Sequence, residues 1–461
     1  MAGIGFRLKR LIAEETYGGW LRAHLYGAVV SSGPWLLSVC TLAALAFLSR
    51  DVVPSRDHAL FRSIAVYTYT ATLVTTGGLQ MIVTRHLADA LYLGRVGVVM
   101  TSFRWSLAVT ALVHLVIAAA FYALAPDLTL GVRLFGVALF VVVACTWVVM
   151  VFVGAAQDYA SVGLAFLVGN AVSLAAALGL GAVTGLAGYV GGFVLGQAAV
   201  LFLLEARIER EFGVADRPET SGLAAAAVRY RLLALGGFLY NAAISVDRIV
   251  FWCSSEGVRV GTWFYGSLYD TPIFLAYLSV VPSLAIFLVS VETEFYDRYR
   301  RYYGVVTRHG TLGQVLEAKR AMSDALGESL RRLLMVQAPV TLTLMALARE
   351  VAAVMGLEPI QVGIFRVALV GAVLHILTLF GTIILLYFDH RRAAVEVSAV
   401  FFVGNLVLTV ASLLLGPRFY GQGYLLAALA ACAWTYVRVG QTFDDLEYLT
   451  FASQPMAPAA G

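Results

Sequence analysis

The stretch YNAAISVDRIVFW, residues 240–252, sets an aspartate and an arginine into an apolar run that begins near Leu232. Sequence neighbours point about 100° apart on a helix, so Asp247 and Arg248 cannot simply neutralise one another. Each needs a partner on another element, or a wet path. Four more charges lie in comparable apolar runs: Asp270, Arg349, Glu350 and Arg366. Counted at about 1.5 Å per residue from the nearest outer loop, all six sit at a similar depth, roughly 6–13 Å from the boundary. Three acids and three bases in one layer suit two roles. They can hold helices in register as ion pairs, or line a substrate path and its gate. The expected pairs are Arg248 with Asp270 across a helical hairpin, and Asp247 with Arg349 or Arg366.

Other chemistry finds no footing. The only lysines are Lys9 and Lys319 and neither follows a glycine, so no G-x-x-x-x-G-K-[ST] phosphate loop exists. Neither H-E-x-x-H nor C-x-x-C occurs, and Cys40, Cys145, Cys253 and Cys432 are too scattered to suggest disulfides or zinc. The acidic run DDLE, 444–447, reads as a solvated helix end rather than a metal site. No enzyme, cofactor or metal centre is expected.

The elements that must position the six charges are membrane helices. Of the 461 residues 60% are hydrophobic and 13% charged, against about 25% charged in soluble domains. Crossing a ~30 Å hydrocarbon core takes about 20 apolar residues. Twelve such spans are expected, at 25–48, 60–84, 105–124, 133–154, 162–183, 187–206, 232–252, 262–290, 333–355, 362–388, 395–416 and 422–440. The fold class is therefore all-α integral membrane, with about twelve helices in two six-helix lobes. Inner segments, with Arg438 at the inner end of the last span, hold 23 of the 32 basic residues, and the outer loops, with Arg133 at the outer edge of the fourth span, hold only Arg50, Arg56, Arg133, Arg259 and Arg418. This asymmetry puts both termini in the cytoplasm. The N-terminal segment MAGIGFRLKRLIAEE is read as an amphipathic arm, because the following apolar stretch is too long for a cleaved signal.

An internal repeat supports two lobes. FLVGNAVSLAAALGLG (166–181) aligns without gaps on FFVGNLVLTVASLLLG (401–416), and the same offset carries Gly188-Tyr189 onto Gly423-Tyr424. The expected plan is an arm at 1–24, a lobe at 25–208, a linker at 209–231, a lobe at 232–440 and a tail at 441–461. Pro34, Pro272, Pro282 and Pro339 each remove a helical hydrogen bond and should kink or break their spans. The first lobe has few buried charges, with His114 its main titratable group. The long inner loop 291–332 opens with EFYDRYRRYYG. It offers Tyr296, Arg298, Arg300, Arg301 and Tyr302 as a docking face, or as a surface lying on anionic lipid. A second, amphipathic helix follows, with Thr311 and Gln314 at capping-box spacing.

Four stretches resemble the PelG family, polytopic components of the bacterial Pel exopolysaccharide machinery in the MOP flippase superfamily. They are AGIGFRLKRL at the start, SSGPWLLS (31–38), YNAAISVDRIVFW and YDTPIFLAYLSVVPSLAIFLVSVETEFYDRYRRYY (269–303). The resemblance implies a V-shaped pair of lobes in the inner membrane and an amino-sugar polymer as substrate. It also implies a PelF-like cytoplasmic glycosyltransferase and PelD- and PelE-like scaffold proteins as partners. It supplies no motif for a site. Three other functions fit some of the residues. A lipid-linked oligosaccharide flippase would want a cation-rich cavity, and the layer here is balanced. A cation-coupled drug antiporter would use an acid in the first span, which has none. A membrane scaffold that only recruits the synthase would leave the charged layer without a task.

Overall fold

The computed structural model describes residues 17–49, 54–156, 158–213 and 219–452. Most of the expected N-terminal arm, part of the 209–231 linker and the end of the 441–461 tail lie outside the described residues. What is described is almost wholly helical, as a chain must be where backbone groups can bond only within their own segment. It divides into two packing units, one comprising Met1–Thr271 with Leu284–Thr293, the other Pro272–Ser283 with Glu294–Gly461.

The first unit contains α1 (Tyr17–Leu48), α2 (Ser55–Tyr92), α3 (Gly97–Ala123), α4 (Leu130–Ala156), α5 (Tyr159–Thr184), α6 (Leu186–Phe212), α7 (Leu223–Arg229) and α8 (Arg231–Trp252). A β-hairpin follows, with β1 (Val258–Val260) antiparallel to β2 (Trp263–Tyr265) and Val260 opposite Trp263. The most extensive packing joins α5 to α6. In GYVGGFVLG, glycines recur every fourth residue at 188, 192 and 196. A Cβ at Gly192 would strike the backbone of Ala176 and Ala177, and one at Gly196 the backbone of Gly169. Small residues at this spacing let two membrane helices approach backbone to backbone.

Helix α8 was expected to open the second lobe, yet it packs along α2 in the first unit. The cause is local. Gly77 and Gly78 of α2 face Gly237 and Ala234 of α8 with no room for a Cβ at Gly77 or Gly237. Asn241 Nδ2 also donates to Leu73 O at 3.1 Å.

Helix α9 (Ser267–Leu278) leads into α10 (Val281–Ser290), and the unit boundary falls within α9 at Thr271–Pro272. The chain returns to the first unit within α10 at Ser283–Leu284 and leaves it again inside a π turn (Val291–Phe295) at Thr293–Glu294. The second unit continues with α11 (Tyr296–Thr307), α12 (Leu312–Ala346), α13 (Ala348–Met355), α14 (Pro359–Tyr387), α15 (Arg391–Leu415), α16 (Gln422–Asp444) and α17 (Leu446–Phe451). Thr311 and Gln314 form the expected capping box at the start of α12. The pair α15–α16 repeats the locking device of α5–α6: a Cβ at Gly423 would meet the backbone of Leu408 and Thr409. The tyrosines after the two glycines, Tyr189 and Tyr424, are both buried.

Among the described residues, eight helices are long and apolar enough to cross a membrane, or up to ten if α9–α10 and α12–α13 each count as one bent span. The expected count of twelve is not confirmed by this test of length and composition. The two spans missing from it are α1, of which only Ser32–Leu48 qualifies as a shorter apolar helix, and α2. The latter is rich in threonine, with buried Thr68, Thr70, Thr72 and Thr76.

The prolines act unequally. The bend of 41° between α9 and α10 lies at residues 279–280. Pro282 explains the place: it offers no N–H to Leu278 O and crowds that carbonyl, so α9 stops at Leu278. Pro282 itself sits in the first turn of α10, where a missing N–H costs little. Pro272 likewise lies near the start of α9, which runs on through it. Helices α1 and α12 continue through Pro34 and Pro339, and the 66° bend after α12 comes only at Leu347. The helices are therefore unbroken at Pro34, Pro272 and Pro339.

Candidate functional site

The last turn of α8, the hairpin and the first turn of α9 bring Asp247, Arg248 and Asp270 together with a group of aromatic rings. Asp247 is 1% exposed. Its Oδ2 accepts from the Tyr269 hydroxyl at 2.9 Å, and the Tyr269 ring stacks on Phe251 with centroids 3.8 Å apart. Its Oδ1 has no hydrogen-bond partner among the described residues. Asp270 accepts from Trp252 Nε1 with both oxygens, at 3.0 and 2.8 Å. Trp252 in turn stacks on Tyr67 of α2, with centroids 4.8 Å apart and planes at 12°.

Tyr67 carries the connection onward. Its hydroxyl donates to Phe264 O at 2.8 Å and accepts from Phe264 N at 3.3 Å, joining α2 to β2. Trp263, 1% exposed, places its ring edge-on to Tyr67 and Phe121. Arg62 lies 5.0 Å from the Tyr265 ring. The hairpin turn is pinned by Asp127, which accepts from Thr262 N at 3.2 Å and Thr262 Oγ1 at 2.8 Å. Burial would raise the Asp127 carboxyl; the two Thr262 bonds, with Arg56 nearby, outweigh it and hold the group below its ordinary range. Gly261 takes φ +63° in the two-residue turn, where hairpins favour glycine. A Cβ there would also collide with the Asp127 carboxylate.

The expected ion pair between Arg248 and Asp270 is not formed. Arg248 Nη2 instead donates to Ile244 O at 3.0 Å, one turn back on its own helix, and Asp270 is taken by the Trp252 indole. The geometry favours this: an indole one turn from Arg248 on the same helix reaches the carboxylate directly. Arg349 and Glu350, in the first turn of α13, are exposed. Arg366 donates from Nε to Met345 O at 3.1 Å, near the end of α12.

The aromatic members Tyr67, Trp252, Trp263 and Tyr269, and the pin Asp127, escaped the sequence reading. Aromatics are common at membrane interfaces, so their number alone singled out none of them. The available signal was WFYGSLYD (263–270), an aromatic strand ending in an intramembrane acid.

In the second unit, Arg298, Arg300 and Arg301 are exposed on α11 and Tyr296 is half-buried. Arg300 lies 5.9 Å from the Tyr296 ring and Arg301 is 3.8 Å from Glu317. Tyr302 is wrongly placed in the expected docking face. It is 0% exposed, with its hydroxyl 3.2 Å from Thr450 Oγ1, because it lies on the face of α11 turned to the α17 end of the chain. The DDLE run is not merely solvated, since Glu447 pairs with Lys319 at 2.7 Å. His114, buried on α3, is held at Nδ1 by Thr110 O and at Nε2 by Thr75 Oγ1, both at 2.8 Å.

This fold is that of the MOP superfamily of membrane transporters. The chain is similar to an outward-facing multidrug-resistance MATE transporter of that superfamily (TM-score 0.69, 13% identity, 92% of this chain and 96% of that one). It is also similar to the Vibrio cholerae MATE transporter VcmN in its bent form (0.64, 13%, 97% and 99%). A MOP superfamily transporter from Pyrococcus furiosus, described as having a binding pocket of reverse polarity, is a third (0.62, 12%, 92% and 96%). Residues 1–451 match the PelG family of exopolysaccharide exporters (EPS-E), and the chain belongs to that family. No curated protein matches it. By family it is a multi-pass membrane transporter of exopolysaccharide.

Proposed function

We propose that the chain carries an amino-sugar exopolysaccharide of the Pel type across the bacterial inner membrane, from a cytoplasmic glycosyltransferase resembling PelF to the periplasm. PelD- and PelE-like scaffold proteins hold the synthase to it. The observation that carries the reading is the aromatic group around Trp252, held by Asp270 and lying beside buried Asp247. These rings are buried against one another, so in this reading they close one end of the transporter until polymer passes, and a carboxylate holding one of them in place makes the arrangement switchable. The hairpin end is the periplasmic end in this reading, and Asp247, Arg248 and Asp270 control it. Arg349, Glu350 and Arg366 are the charged members of the path that the second unit contributes in this reading.

The discriminating measurement compares protein level with polymer export in Asp247→Ala and Asp270→Ala variants. A gate predicts normal protein with export lost. A purely structural network predicts that both fall together, because removing one partner of a buried charged group costs about 3–5 kcal/mol. Wild-type protein and export in both variants would remove these residues from the path. Uptake of radiolabelled polymer into inverted vesicles, with and without the glycosyltransferase, tests the transport itself and separates it from a scaffold role.

A further inference from the structure

The end of the first unit opposite the hairpin holds a cavity of about 330 Å³, lined by His86, Asp89, Arg95, Ser221, Arg229 and Tyr230, with Leu93 and Val98 adding an apolar wall. Its place relative to the membrane follows from α2. From Tyr67 to Asp89 that helix rises about 33 Å at 1.5 Å per residue, the thickness of a bilayer's ~30 Å hydrocarbon core. With Tyr67 in the hairpin cluster at one face, the cavity stands at headgroup level on the other.

Its charges are unevenly spent. The Asp89 carboxylate accepts from the Tyr230 hydroxyl and pairs with Arg85 at 3.2 Å. Arg95 is matched by Glu219 at 2.7 Å. Arg229 has no ion-pair partner among the described residues, and its guanidinium lies 5.4 Å from the Tyr230 ring. His86 is anchored by Ser102 Oγ at 3.1 Å. An unmatched guanidinium beside an imidazole and hydroxyls, with Asp89 and Glu219 already engaged among the described acids, offers its donors to phosphate. Arginine presents its donors in a fork that fits phosphate oxygens. The volume falls in the ~300–1,000 Å³ range of small-ligand sites, and basic pockets at the ends of membrane helices suit anionic headgroups.

We propose that this cavity binds the phosphate of an anionic phospholipid headgroup, with Arg229 supplying the charge and Ser221 and His86 the further hydrogen bonds. The apolar wall of Leu93 and Val98 takes the first carbons of the acyl chains. The binding ties α2, α7 and α8 to the membrane at the end opposite the aromatic cluster.

The test uses the full chain, purified in neutral detergent, with thermal unfolding followed as dioleoyl phosphatidylglycerol or dioleoyl phosphatidylcholine is added. The phosphatidylglycerol should raise the melting temperature saturably and the phosphatidylcholine should not. Arg229→Gln should weaken the apparent affinity roughly fivefold, Arg229→Lys should retain most of it, and Arg62→Gln at the hairpin end should behave as wild type. An undiminished response in Arg229→Gln, or equal stabilisation by both lipids, would overturn the proposal. Inorganic phosphate that gives the same rise and blocks phosphatidylglycerol would overturn the lipid assignment in favour of a soluble phosphate ligand.

Discussion

At the scale of single residues, the three carboxylates of the hairpin cluster hold neighbours in place. Asp270 holds an indole, Asp247 a phenol and Asp127 a turn. Charged hydrogen bonds of this kind contribute about 1.5–3 kcal/mol each, so each is a point where one substitution loosens a whole element. Gly261 is the most exacting of them, because both its backbone angle and its contact with Asp127 exclude a side chain. Gly261→Val should release the hairpin at a cost of about 1–3 kcal/mol, read as a lower melting temperature and faster proteolysis between 253 and 266. Cleavage and melting equal to wild type would show that the turn is not pinned. At the other end of the unit, Asp158 caps α5 and pairs with Arg207 at 2.6 Å. Burial raises its carboxyl, but the bonds from Ser161 and Arg207 prevail and bring it down to about 2. A depressed carboxylate stabilises fully above its ordinary value of about 3.9 and loses that contribution as pH falls through its folded value. Asp158→Asn should therefore lower the melting temperature at neutral pH, and the gap from wild type should close only as pH approaches 2. A gap unchanged across that range would refute the assignment.

At the scale of elements, glycine spacing decides which helices pair. Gly188, Gly192 and Gly196 seat α6 against α5 with no space for a methyl group at Gly192. Gly192→Leu should separate the pair and sharply reduce folded protein, measured as monodisperse material after detergent extraction. Gly179→Leu, where no atom lies within contact distance, should be tolerated. The break between α9 and α10 is the second decisive element. Pro282→Ala restores the donor to Leu278 O and should lengthen α9 across 279–280. In the proposed function this stiffens the path, so export should fall while protein level holds. Export at the wild-type rate would make the break an incidental one.

At the scale of the whole molecule, family and fold define a membrane transporter of exopolysaccharide, and the topology and partners are the next questions. Reporter fusions after residue 452 and in the 253–257 segment should report cytoplasm and periplasm respectively, as the distribution of arginines requires; the reverse at either site would invert the proposed direction. Docking of the synthase is expected through the exposed arginines of α11. Replacing Arg298, Arg300 and Arg301 together by alanine should reduce co-purification with the glycosyltransferase at unchanged membrane insertion. Tyr302 is left out, since its buried ring would confound folding with binding. Unaltered co-purification would leave α11 as a lipid-surface helix.

What the sequence determined by itself is what depends on local composition. Apolar runs and the Thr311–Gln314 box act over one or two helical turns, so their reading as membrane helices and a capped start needed no tertiary knowledge. The importance of Asp247 and Asp270 was visible for the same reason, since a charge in an apolar run demands a partner wherever it folds. Which partner it takes is not local. Arg248 and Asp270 have opposite charges and similar depth, yet the carboxylate goes to Trp252, because partner choice depends on side-chain reach across a hairpin that only the folded chain defines. The place of α8 beside α2 was settled the same way. Gly77 and Gly237 are 160 residues apart in the chain, and nothing in either segment alone says that their backbones meet.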